Sequence, residues 1–156
     1  MNARARQLNV QPLISARERQ DRGLLGVVGG GTKFQVLEYA QAAAKSFGRR
    51  VRPIQAADVM GKYIGETEKN LHRVFDLAEA ERWVLLFDEA DALFGKRTEV
   101  KDSHDRYANV ETSYLLKYVE NHDAIVLLAT NYASRLLSTV LKRVDCTVPE
   151  EPEKTE

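Results

Sequence analysis

The chain has 156 residues, 44% apolar and 29% charged, enough for one domain with its own core. Lys and Arg together number 23, as do Asp and Glu, so net charge draws it toward neither nucleic acid nor membrane. The single cysteine, Cys146, excludes an internal disulfide. No apolar run reaches the ~20 residues that span a bilayer. The start, "MNARARQLNVQ", lacks the apolar centre of a secretory signal, so the cytoplasm is the expected compartment.

Residues 1–22 are polar and basic and read as a solvated arm or surface helix; residues 150–156, "EEPEKTE", read as an acidic, disordered tail. Residues 23–149 form the expected core. "LLGVV" (24–28) is a short apolar run before glycines, the pattern of a buried strand. Val36, Ala40, Ala43 and Phe47 recur at helical spacing, with Gly48 as a stop. "VRPIQ" (51–55) is a weak strand whose Pro53 suits a sheet edge. Leu71, Val74, Phe75 and Ala78 mark one helix face, and Ala108, Thr112, Leu115, Leu116 and Val119 another. "WVLLF" (83–87) and "AIVLLAT" (124–130) are strong buried strands, and "VDCTV" (144–148) a shorter one.

Strands alternating with helices predict an α/β fold, with helices on both faces of a mostly parallel sheet. Ligands of such sheets bind beyond the carboxyl ends of the strands, so the residues after each apolar run carry the interest. "DEADALFGKR" follows the strand at 83–87. Its first carboxylate, Asp88, can hold Mg²⁺ beside a triphosphate. Its second, Glu89, can polarise an attacking water. The bland alternative is an acidic helix start favoured by the dipole. Asn131 follows the strand at 124–130 and could position the same water. In "KYIGE" (62–66), Tyr63 and Ile64 stand between polar neighbours, either exposed to grip a polypeptide or, for Tyr63, packed on its own helix. Asp102, His104 and Asp105 lack a second ligand pair at suitable spacing for a metal.

The run from "GKYIGETEKN" through "LLFDEAD", followed by "AIVLLATN", resembles the AAA+ ATPase core, in particular bacterial members associated with contractile injection systems. The likeness is dense over 48–131 and loose over 24–47 and 132–149. It implies a P-loop NTPase-like three-layer sandwich, the AAA+ large subdomain, using ATP and Mg²⁺. "LLFDEAD" resembles Walker B, with Asp88 on the metal and Glu89 activating water. "LLATN" resembles sensor 1, with Asn131 in that role. "KYIG" resembles the first pore loop, so Lys62, Tyr63 and Ile64 would face the pore of a ring, expected to be a homohexamer acting on a polypeptide. The stretch 95–108 would hold a second pore loop. "VLKRVD" (140–145) takes the place of the arginine fingers that the family supplies to the neighbouring subunit, leaving Arg143 as the candidate and Lys142 where an arginine is expected. The plainer alternative is two cations ending a helix.

The glycine loop departs from the family pattern. A phosphate loop reads G-x-x-x-x-G-K-[ST]. Here "GVVGGGTKFQ" (26–35) sets Lys33 one place late and Phe34 where a metal-binding hydroxyl belongs. Either the following helix gained nearly a turn, or residues near Val36 take the lysine's usual place. Gly29, Gly30 and Gly31 could still offer N–H groups to phosphate, with Thr32 and Lys33 at the helix start. The family's helical lid has no counterpart before the acidic tail. Three readings follow: an ATP-hydrolysing core that remodels or threads protein, a catalytically impaired AAA-like binding module, and a truncated fragment.

Overall fold

The computed structural model describes residues 9–20, 23–63, 65–96 and 103–148, with backbone alone over 103–109. The chain runs α1 (Gln11–Glu18), β1 (Leu24–Val28), α2 (Lys33–Ser46), β2 (Arg50–Ile54), α3 (Ala56–Val59), α4 (Glu66–Glu81) and β3 (Trp83–Phe87). It continues through α5 (Ala90–Phe94), α6 (Ser103–Asn121), β4 (Ile125–Ala129), a 3₁₀ turn (Ala133–Arg135), α7 (Ser138–Arg143) and β5 (Cys146–Val148). The strands form one sheet in the order β2-β3-β4-β1-β5, and every pairing is parallel. This is the expected α/β three-layer arrangement.

Burial explains the order. β1 and β4 are buried at all five positions, as is β3 beyond Trp83. Unbroken apolar strands can stand only at the centre of a sheet covered on both faces. Their alternate residues feed two cores. Leu25, Val27, Leu85, Phe87, Val126 and Leu128 join α4 and α6 on one face. Leu24, Val28, Val84, Leu86, Ile125 and Leu127 join α1 and α2 on the other. β2 buries only Ile54, and Pro53, which donates no hydrogen bond, is tolerated because β2 is an edge.

Of the two expectations for the N-terminal stretch, a solvated arm or a surface helix, residues 11–18 form a helix. α1 buries Leu13 and Ala16 completely in the second core. The Tyr39 hydroxyl donates to the Asn9 carbonyl at 3.0 Å, and Arg17 pairs with Asp123. Two apolar residues three apart are too few to announce a helix face, yet they close one side of the sheet. The tail 150–156, the first eight residues, Ile64 and the middle of the second pore-loop stretch lie outside the described residues. Among the described residues, no helix is long and apolar enough to cross a membrane.

Candidate functional site

Strand register builds the site. Val28 pairs with Ala129, and Phe87 with Leu128, so Gly29, Asp88 and Thr130 leave the sheet side by side. Backbone bonds extend the ladder one step: Thr130 N–H donates to the Val28 carbonyl at 3.1 Å, Gly29 N–H to that of Val148 at 2.7 Å, and Asp88 N–H to that of Ile54 at 2.9 Å. β1 lies between β4 and β5 while the chain after it crosses to the far edge, which is the switch point where doubly wound sheets open a crevice.

An open cleft of about 490 Å³ occupies that crevice. Gly31, Thr32 and Lys33 form one wall, and Asp88, Glu89 and Asn131 line the rest with Asp91 and Thr130. Lys33 Nζ stands 3.5 Å from Asp88 Oδ2, the lysine 72% exposed and the aspartate 26%. The glycine loop and the acidic strand end, 55 positions apart (88 − 33), therefore face each other across the cleft.

The loop turns on Gly30 and Gly31, at φ +71° and +114°, conformations that cost a side chain dearly and glycine little. Thr32 then caps α2. Its Oγ1 accepts from Gln35 N–H at 3.1 Å, and Gln35 Oε1 accepts from Thr32 N–H at 3.0 Å. This capping box fixes the helix start at Lys33. The Thr32 hydroxyl is engaged in that cap. Phe34, 72% exposed, brings no donor for a metal.

Asp88 Oδ1 accepts the Glu89 N–H at 2.9 Å. Glu89 itself is in the left-handed region at φ +52°, a conformation costing of order 1 kcal/mol for a residue with a side chain. α5 follows at once and buries Ala90, Leu93 and Phe94, so packing holds the strained residue at the mouth of the cleft. Asp91 and Thr130 are the site residues that motif reading missed. Thr130 Oγ1 donates to Asp91 Oδ1 at 2.8 Å and accepts from Tyr132 N–H at 2.9 Å. An acid inside the otherwise apolar run "ADALF" was the available hint.

The other candidates stand elsewhere. Lys62 and Tyr63 are exposed, Tyr63 to 72%, so the ring does not pack on its helix. Glu66 Oε1 accepts from Lys62 N–H at 2.6 Å and Tyr63 N–H at 3.2 Å, shaping the loop from behind. Gly61 is required there, because an added Cβ would meet the Glu66 Cβ at 2.1 Å. Arg143 is not brought to the cleft. Its guanidinium grips both Asp145 oxygens at 3.0 and 2.9 Å and the Gly23 carbonyl at 3.1 Å, at the amino ends of β1 and β5. Asp102 and the side chains of His104 and Asp105 lie outside the described residues. Among those described, no group of three or more His, Cys, Asp or Glu could hold a metal.

Residues 38–150 match the family described as ATPase family associated with various cellular activities (AAA). The chain is 33% identical over 104 residues to the ATPase family gene 2 protein of Schizosaccharomyces pombe, covering 66% of this chain and 13% of that protein. It is 29% identical over 140 residues to vacuolar protein sorting-associated protein 4B of Mus musculus, covering 85% and 30%. With spastin of Sus scrofa the identity is 32% over 130 residues, covering 78% and 20%. The chain thus spans less than a third of the length of each of these relatives.

Proposed function

The chain belongs to the AAA family of ATPases, and from that premise we propose that its cleft binds ATP with Mg²⁺, hydrolyses it, and so drives the remodelling of a protein partner. The observation that carries this is the meeting of Lys33 and Asp88 at 3.5 Å across a cleft shared with Glu89 and Asn131. Parallel-sheet geometry needs no acid–base constellation at that point for stability. Phosphoryl transfer needs one, since its catalysis is mostly positioning and charge stabilisation.

The donor set fits Mg²⁺, a hard cation that takes carboxylate oxygen and keeps several waters. Asp88 lines the cleft with its Oδ2 beside the exposed Lys33 ammonium, and Asp88 would hold the ion. Bound there, the ion would neutralise phosphate charge. The residues of the chain divide the remaining work. Lys33 swings from Asp88 to the phosphates. Gly30 and Gly31 offer backbone N–H groups beside the α2 start, whereas the Gly29 N–H is held by the Val148 carbonyl at 2.7 Å. Glu89 takes the proton of the attacking water, and Asn131, after the adjacent strand β4, orients that water. Lys62 and Tyr63, with Ile64 beside them, would grip the polypeptide in the pore of a homomeric ring, a hexamer by family likeness. Service to a contractile injection system is the narrower form of the same reading.

A second reading, an AAA module that binds partners without efficient turnover, is favoured by one feature. The Thr32 hydroxyl is committed to its cap and Phe34 follows it, leaving the loop without a free hydroxyl for a metal. Titration with a fluorescent ATP analogue, with and without Mg²⁺, separates the two. Magnesium-dependent binding that Lys33→Ala and Asp88→Ala both abolish supports the ATPase. No binding at millimolar nucleotide supports the module.

A further inference from the structure

Thr130 lines the cleft and is 7% exposed. Its N–H bonds the Val28 carbonyl of β1, and its carbonyl lies 3.2 Å from where a Cβ on Gly29 would stand. Its hydroxyl works in both directions, donating to Asp91 Oδ1 at 2.8 Å and accepting from Tyr132 N–H at 2.9 Å.

These two bonds bracket Asn131, the residue between Thr130 and Tyr132. They also join it to α5, which begins immediately after Glu89. A carboxylate in the first turn of a helix can be explained by the dipole alone. That explanation does not account for a bond to a hydroxyl 39 positions away, nor for the fixed direction that bond imposes. A hydroxyl with its proton committed to Asp91 keeps its lone pairs for Tyr132 N–H, so each bond orients the other.

We infer that Asp91 and Thr130 are positioning residues: the bridge between them sets where Asn131 stands relative to Glu89 in the cleft. This rests on the ATPase reading above for its consequence, though not for its geometry. Asn131 is exposed on a segment that leaves β4 for a 3₁₀ turn; the two Thr130 bonds tie the start of that segment to α5, while the Arg135 N–H bond to the Tyr132 carbonyl at 2.8 Å closes the turn beyond it. Catalytic geometry tolerates little slack, and small misplacement costs rate out of proportion to binding.

The test uses the whole chain. Amide exchange at Tyr132 and the side-chain amide signals of Asn131 are read by NMR in the parent, Thr130→Val, Thr130→Ser, Asp91→Ala and Asp91→Asn. Thr130→Val keeps the shape and removes the hydroxyl, so Tyr132 exchange rises roughly tenfold and the Asn131 signals broaden or split. Thr130→Ser restores both. Asp91→Ala gives a smaller change in the same direction, and Asp91→Asn, whose amide oxygen still accepts, reverses it. Where phosphate release is measurable, kcat in Thr130→Val falls roughly tenfold while KM for ATP stays within about twofold.

A residue serving stability alone would instead speed exchange along the whole of Ile125–Ala129 and lower the melting temperature. That outcome overturns the inference, as do unchanged Tyr132 exchange and unchanged Asn131 signals in Thr130→Val. Should Thr130→Val not fold, the Asp91 pair reads the same bridge from its other end. A parent chain that releases no phosphate, yet shows the exchange pattern described, sinks the ATPase reading and leaves the bridge standing.

Discussion

The two ends of the sheet use the same kinds of side chain to opposite effect. At the amino ends, charges are matched and closed. Asp145, with a side chain 10% exposed, accepts from Gln20, from Leu25 N–H and twice from Arg143. Asp123 holds both Arg17 and Arg49, the latter 4% exposed and bonded also to the Asp123 carbonyl. At the carboxyl ends Lys33 and Asp88 meet loosely at 3.5 Å over open space, beside a strained Glu89. One end is an anchor, its charges satisfied within the chain. The other keeps charges reachable by a ligand, at some cost in local stability.

The largest expected effect breaks the carboxyl end. Glu89→Gln keeps shape and hydrogen bonding but removes the base, so phosphate release falls by about 10²–10⁴-fold while binding of the fluorescent ATP analogue persists. Equal release by the variant would remove Glu89 from the chemistry. Next comes the amino end. Asp145→Ala leaves the Arg143 guanidinium and Leu25 N–H without their main acceptor, costing about 2–3 kcal/mol. Thermal unfolding should move down by roughly 5–10 °C. A nucleotide affinity that moved with it would contradict the separation of the two ends.

That separation was only half legible in the sequence. The open end was, because its polar residues follow unbroken apolar strands: "WVLLF" before Asp88 and "AIVLLAT" before Asn131 fix both the sheet and the direction of its mouth. The closed end was not. Arg17, Arg49 and Asp123 sit in polar stretches and Asp145 inside the short run "VDCTV", and their pairing exists only once the strands stand in order. Arg143 shows the consequence: family likeness gave it a role toward a neighbouring subunit, and its bonds to Asp145 and the Gly23 carbonyl within the chain had no local signal. The short helices at Ala56–Val59 and Ala90–Phe94 escaped for a simpler reason, being too brief to display a period. The Asp91–Thr130 bond joins residues whose proximity depends on the register of β3 against β4, which no local pattern encodes.

Lys33→Ala sharpens the contrast from the open side. An ion pair this exposed contributes roughly 0–1 kcal/mol, so the melting temperature of the free chain stays within about 2 °C of the parent. Nucleotide affinity falls by about tenfold or more, as expected when a charge-assisted bond to phosphate is lost. Matching losses in stability and affinity would mean that Lys33 is held for structure, like the cations at the amino end.

The smallest effect concerns acid. The hydrogen bond from Arg17 holds the Asp123 carboxyl below the ordinary carboxylate range; burial opposes this, and the fields of Arg17 and Arg49 add to it. Its folded-state value therefore lies under the unfolded value of about 3.9. The stabilisation is complete above about pH 4 and is lost as pH falls through the folded value. Because the Asp123 side chain is 51% exposed, solvent screening keeps the effect small. Asp123→Asn should melt roughly 1–3 °C below the parent at pH 7. The gap should narrow as pH drops below about 4, since the parent's carboxylate is then protonated as well. A gap that stayed constant down to pH 2.5 would mean that ionised Asp123 contributes nothing and that the amino end is held by neutral packing of α1 on the sheet.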